Sequence, residues 1–172
     1  MNILFIRRYQ QFLIGISSAT GLLTLGDYCA QYFYERKKSI DQKRLRAACA
    51  TGATLGLEGY IWYKFLDRLI AQPTWRNVFK KVVLDQTIAA PIYTITYIIG
   101  TSMLEGRTTI QELKKDAKAN FLPLYIADCA IFIPVQIINF RYISPYYRIP
   151  FMFSISFVFN FFLSAYKHAH DR

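Results

Sequence analysis

Charge is missing from long stretches of this chain, and that absence restricts the fold more than any motif does. Tyr9 to Gly26, Gln86 to Leu104 and Ile149 to Tyr166 contain no Asp, Glu, Lys or Arg, and each is 18 or 19 residues long. About 20 helical residues cross ~30 Å of hydrocarbon. Two further stretches carry one acid each: Ala47 to Tyr63 holds Glu58, and Ala119 to Phe140 holds Asp128. A helix at a soluble surface places polar side chains every three or four positions, and these stretches do not. The sequence therefore predicts an all-α, polytopic transmembrane helix bundle, one domain over 1–172. Spans are expected at about 9–34, 47–66, 82–104 and 149–166. The stretch 119–140 is ambiguous, because Pro123 and Pro134 stand either side of Asp128. It either spans or forms a broken, partly re-entrant or interfacial helix before the last span. Thr108 to Glu112 reads as a cap that opens a helix lying along the interface. Pro91 predicts a kink in the third span, and Pro73 a break or the first turn of a short surface helix.

A net charge of +10 points a soluble protein toward nucleic acid. Here the cations cluster at span ends, as in Arg36-Lys37-Lys38, Lys43-Arg44-Leu45-Arg46, Lys80-Lys81 and Lys114-Lys115. At such places they meet anionic headgroups, so direct nucleic-acid binding is not expected. Cys29, Cys49 and Cys129 are odd in number and lie in hydrophobic stretches, which suits packing better than a disulfide or metal framework. His168 and His170 make a poor metal site, and neither a metal nor a cofactor is expected. There is no Ser-His-Asp set, zinc-spaced His/Cys set or glycine-rich phosphate loop, so no enzyme is expected. No small-residue cleavage site follows Arg7-Arg8, so no removable signal peptide is expected.

Chemistry concentrates in Asp27, Glu58, Asp85 and Asp128. An ionised acid at mid-membrane costs several kcal/mol on insertion scales, so such groups face a bundle interior or a wet cavity. Asp27 and Gln31 share a helix face, and Asp85 follows Lys81 by one turn, which predicts an ion pair near the surface. Gln86, Gln136, Asn139 and Asn160 add groups that bond between helices. Two readings of this set stay open: a cation-favouring pore or cavity, and a buried network that holds helices in register. Ala48, Gly52, Gly56 and Gly59 fall on one face and predict close helix packing. Trp62, Tyr63, Tyr142, Tyr146 and Tyr147 sit where spans end, as in an interfacial belt.

Several of these residues fall in an ordered set of motifs. Gly26-Asp27-Tyr28-Cys29-Ala30-Gln31 resembles the G-D-x-x-A-Q of the Mpv-seventeen / peroxisomal membrane protein family. In order follow Arg44-Leu45-Arg46, Gly59-Tyr60-Ile61-Trp62-Tyr63-Lys64-Phe65-Leu66-Asp67 and Lys81-Val82-Val83-Leu84-Asp85-Gln86 with Pro91. Pro134-Val135-Gln136-Ile137-Ile138-Asn139-Phe140, Pro145 with Arg148, and Asn160-Phe161-Phe162-Leu163-Ser164 complete the set. The chain departs from the family at Gly56-Leu57-Glu58-Gly59-Tyr60, where G-P-x-x-H is usual, and at Phe132 and Phe159, where tryptophan is common. The resemblance implies a four-helix protein of the mitochondrial inner membrane or the peroxisomal membrane. It further implies a channel or membrane-homeostasis role, with some members linked to mitochondrial DNA maintenance and reactive oxygen metabolism. The expected partners are the lipid bilayer, small solutes or ions, and further copies of the chain in a homo-oligomer. The leading expectation is a weakly selective channel, and the rival is a non-conducting scaffold or assembly factor.

Overall fold

The computed structural model describes residues 3–34, 39–104 and 106–158. Helix α1 (Ile3–Cys29) continues into a π-helical turn, Ala30–Tyr34. Helix α2 (Gln42–Leu69) follows, its N-terminus capped by Asp41, whose side chain accepts from the backbone N–H groups of Lys43 and Arg44. Helix α3 (Trp75–Leu84) is capped by Thr74 and runs through a π turn (Asp85–Ala89) into α4 (Ala90–Leu104). Helices α5 (Ile110–Tyr142) and α6 (Arg148–Val158) complete the described chain. No strand occurs among the described residues.

Close approaches fix the directions. A Cβ on Gly52 would stand 2.8 Å from the Thr20 Cα, and one on Gly56 would stand 3.0 Å from the Ile16 Cα, so α2 runs antiparallel to α1. On the other side of α2, Gly100 of α4 meets Thr51, while Thr96 bonds Glu58. Helix α5 descends against α3 and α4, with Asp116 beside Ser102 and Gln136 beside Asp85. Helix α6 then rises along α1, placing Ile149 at Gly15 and Phe157 at Gly26. Neighbouring helices therefore alternate in direction along the chain. The segments Tyr9–Phe33, Trp75–Met103 and Ile110–Tyr142 are long and apolar enough to cross a membrane. The 28 residues of α2 are less apolar, but they extend ~42 Å and run between α1 and α4 for the height of the bundle. The main apolar core lies toward one end, where Tyr63, Leu66, Val78, Val82, Phe140 and Ile149 pack together.

Three expectations change. The third span starts at Trp75 rather than 82, because the Thr74 hydroxyl accepts from the Asn77 backbone N–H and starts the helix early. Second, the helix expected along the interface and the ambiguous stretch 119–140 are one continuous helix, α5, of 33 residues and ~50 Å. Its cap is a box in which the Thr109 N–H donates to Glu112 Oε2. Pro123 and Pro134 lie inside it without ending it, since hydrocarbon offers a freed carbonyl no better partner outside the helix. Third, the irregularity expected at Pro91 is the π turn just before it, where the Ala90 N–H reaches back five residues to the Asp85 carbonyl. A wider turn relieves the crowding that a proline ring imposes on the preceding turn. The last span is described through Val158, and its expected remainder, with Asn160, lies outside the described residues.

The α1–α2 contact yields a test. Gly52→Ala places a methyl group against α1 backbone, whereas Gly21→Ala meets nothing within 4 Å. Thermal unfolding in detergent should show Gly52→Ala destabilised by about 1–3 kcal/mol. Gly21→Ala should be neutral or stabilised by up to about 1 kcal/mol, and equal losses at both sites would contradict the packing.

Candidate functional site

The π turn before Pro91 holds the most buried acid among the described residues. Consecutive residues of an α-helix point roughly 100° apart, yet Asp85 and Gln86 are both buried, at 2% and 7% exposure. Asp85 Oδ1 accepts from the Trp62 indole N–H at 2.8 Å, and Oδ2 accepts from the Gln136 amide at 2.7 Å. The Gln136 amide also donates to the Tyr63 hydroxyl, at 3.0 Å. Asn139 donates to that hydroxyl and to Gln136 Oε1. The Tyr125 hydroxyl donates to the Gln86 carbonyl. One carboxylate thus joins α2, the π turn and α5. No ion pair is formed by Asp85 among the described residues.

The ion pair expected between Lys81 and Asp85 does not form. Lys81 Nζ pairs instead with Asp67 at the end of α2, where Arg148 of α6 bonds both carboxylate oxygens at 2.6 and 2.7 Å. Both cations are buried and both lie over the Phe140 ring. Proximity along α3 is outweighed because Asp67 offers Lys81 a partner while the π turn aims Asp85 at Trp62 and Gln136.

Two further acids tie the opposite end. Asp27 accepts from Arg44 Nε at 2.6 Å and from Gln31 Nε2 at 2.8 Å, and Gln31 Oε1 accepts the Asp41 backbone N–H. Asp116 accepts from Ser102 and from Arg107, joining α4 to α5. Glu58 lies midway along α2. Its Oε1 accepts from the Thr96 hydroxyl at 2.8 Å, while Oε2 is buried with no partner among the described residues. Asp128 is half-buried on α5, on the face that also carries Tyr125, Gln136 and Asn139.

The four acids singled out in the sequence therefore do not share one chamber. Asp27 belongs to an end tie, Asp85 is the hub, and Glu58 sits at the α2–α4 seam. Ala48, Gly52 and Gly56 are buried on α2, the two glycines against α1, and Gly59 faces Ile149 and Tyr93. Trp62 and Tyr63 are not belt residues, because their polar atoms are used inside the bundle, whereas Tyr142 and Tyr147 are exposed. Asp67, Arg148 and Asp116 escaped the sequence reading because charges at span ends are ordinary. Tyr93 escaped it too, and its buried hydroxyl has no partner among the described residues. A tyrosine between prolonged apolar runs is the only signal it gave.

The family profile described as Mpv17 / PMP22 family matches residues 102–164. Protein SYM1 of Kluyveromyces lactis is 30% identical over 165 residues, covering 92% of this chain and 84% of that protein. PXMP2/4 family protein 4 of Dictyostelium discoideum is 29% identical over 79% of this chain and 74% of its own length. The mitochondrial inner membrane protein Mpv17 of Homo sapiens is 26% identical over 94% of this chain and 97% of its own. No solved structure matches the chain.

The ties differ in how much buried charge depends on them. Asp67→Asn strands two buried cations and should cost about 3–5 kcal/mol of stability. Asp27→Asn leaves Arg44, whose side chain is 25% exposed, able to reach water and should cost clearly less. Unfolding of both variants in the same detergent gives the order, and a larger loss at Asp27 would contradict it.

Proposed function

The chain belongs to the Mpv17 / PMP22 family, and from that premise we propose that it provides a weakly selective passage for small solutes or ions. It is a multi-pass protein of the mitochondrial inner membrane, as the names of its relatives and its apolar helices indicate. Such a passage contributes to the homeostasis of that membrane. One observation carries this function: Glu58 Oε2, the Tyr93 hydroxyl, Gln86 Oε1 and Asn139 Oδ1 are buried and lack protein partners. Buried polar atoms are ordinarily satisfied, by water where protein supplies nothing. A wet seam edged by Glu58 and Asp85 favours cations and repels anions.

A second function, a non-conducting scaffold or assembly factor supporting mitochondrial DNA or ribosome maintenance, draws on a different observation. Asp27, Asp67 and Asp116 are all used to tie helix ends, which makes for a rigid body with many fixed surfaces. Under that function, acid-to-amide changes alter stability or complex size and leave flux untouched. Neither function calls for catalysis or a cofactor. Further copies of the chain are compatible with both.

Purified protein in planar bilayers separates the two. Conductance should appear, and Glu58→Gln and Asp85→Asn should lower its cation preference while Asp27→Asn leaves that preference in place. Silence of the wild type, or unchanged ion preference in both seam variants, sinks the passage.

A further inference from the structure

Glu58 is the acid that the helix ties leave unfinished. At about 1.5 Å per residue it lies ~24 Å from Gln42 and ~16 Å from Leu69 along α2, far from either membrane face. One carboxylate oxygen has the Thr96 hydroxyl and the other has nothing. No ion pair reaches it among the described residues. Tyr93 precedes Thr96 by three residues and shares its face of α4. The Tyr93 hydroxyl would stand 3.9 Å from a Cβ on Gly59, the residue after Glu58. Neither that hydroxyl nor Glu58 Oε2 has a hydrogen-bond partner among the described residues. The Tyr63 hydroxyl in turn touches Gln136, which bonds Asp85. Oxygen-bearing groups thus run from the Asp85 hub, one turn inside the Lys81–Asp67–Arg148 cluster, to the middle of the bundle.

We propose that Glu58 is a membrane-embedded proton-binding site. The site suits a proton rather than a metal ion. One free carboxylate oxygen and nearby hydroxyls fall short of the six or more oxygens that a hard divalent cation takes. No group of three or more His, Cys, Asp or Glu capable of holding a metal occurs among the described residues. A proton on Glu58 removes the cost of a charge in hydrocarbon. In the step, Glu58 Oε2 takes a proton from water and hydroxide is left. Only O–H bonds are made and broken, and one proton moves in net. The remaining titratable or charged groups on the elements packed around it are Tyr60 and Lys64 on α2, Tyr97 on α4, Tyr125 and Asp128 on α5, and Arg148 on α6. Of these, Lys64 is bonded to Tyr60 and Arg148 to Asp67, so neither cation neutralises Glu58. This site goes beyond the passage and does not require one.

Dicyclohexylcarbodiimide is an apolar probe that reacts with protonated carboxyls. The carboxyl oxygen adds to its central carbon, the proton goes to nitrogen, and the adduct rearranges to a stable N-acylurea. With the full chain in phosphatidylcholine liposomes, mass mapping should find Glu58 modified in preference to Asp27 and Asp116. The carboxylic C=O infrared band lost in Glu58→Gln should rise after an acid jump. An unmodified Glu58, or a band that does not rise, overturns the site. Absent conductance with these results intact sinks the passage alone.

Discussion

The Asp85 carboxylate is held in a setting where hydrocarbon surrounds the helices and no cation answers it, so its stability depends on neutral donors placed by three elements. Trp62 comes from α2, Gln136 from α5 and Gln86 from the π turn itself. Hydrogen bonds to a charged acceptor are roughly twice as strong as neutral ones, and each here ties a separate helix to the same two oxygens. Much of the architecture serves that meeting. Pro91 forces a wide turn that buries Asp85 and Gln86 together. An unbroken α5 delivers Gln136 and Asn139 to the same depth. The tail of α2 carries Trp62 and Tyr63 past the glycine face that packs on α1.

Around the hub, the ends of the helices are locked by acids that each hold a cation. Asp67 collects Lys81 and Arg148 from α3 and α6 at one end, and Phe140 lies under both cations. Asp27 with Arg44 and Asp116 with Arg107 close the other end. A carboxylate shared by two buried cations leaves a local positive excess one turn from Asp85. Such charge steadies the hub without pairing with it. Glu58 and Asp128 have no such tie, so they are the acids free to do something other than hold helices.

Hydropathy made the helices legible because hydrocarbon permits few alternatives to a helix of that length. The same rule exposed Asp27, Glu58, Asp85, Gln136 and Asn139, since a polar group in an apolar run is conspicuous. Partners were less legible. The one-turn spacing of Lys81 and Asp85 pointed to an ion pair, and only the fold shows that Asp67 comes closer to Lys81. Trp62 read as an interfacial residue because its position at a span end is common to both roles. Pro123 and Pro134 left α5 ambiguous because proline ends helices in water and is tolerated inside a bundle. Asp67 and Arg148, 81 positions apart in the chain, carry no local signal of their contact.

The continuity of α5 underlies the hub, since a re-entrant segment could not set Asp116 at one end of the bundle and Asn139 near the other. Accessibility of single cysteines tests it directly. In a chain stripped of Cys29, Cys49 and Cys129, Thr108→Cys, Gln72→Cys and Ser144→Cys can each be exposed to a membrane-impermeant maleimide from one side of sealed vesicles. A crossing α5 predicts that Gln72→Cys and Ser144→Cys label from one side and Thr108→Cys only from the other. Labelling of Thr108→Cys and Ser144→Cys from the same side would contradict it.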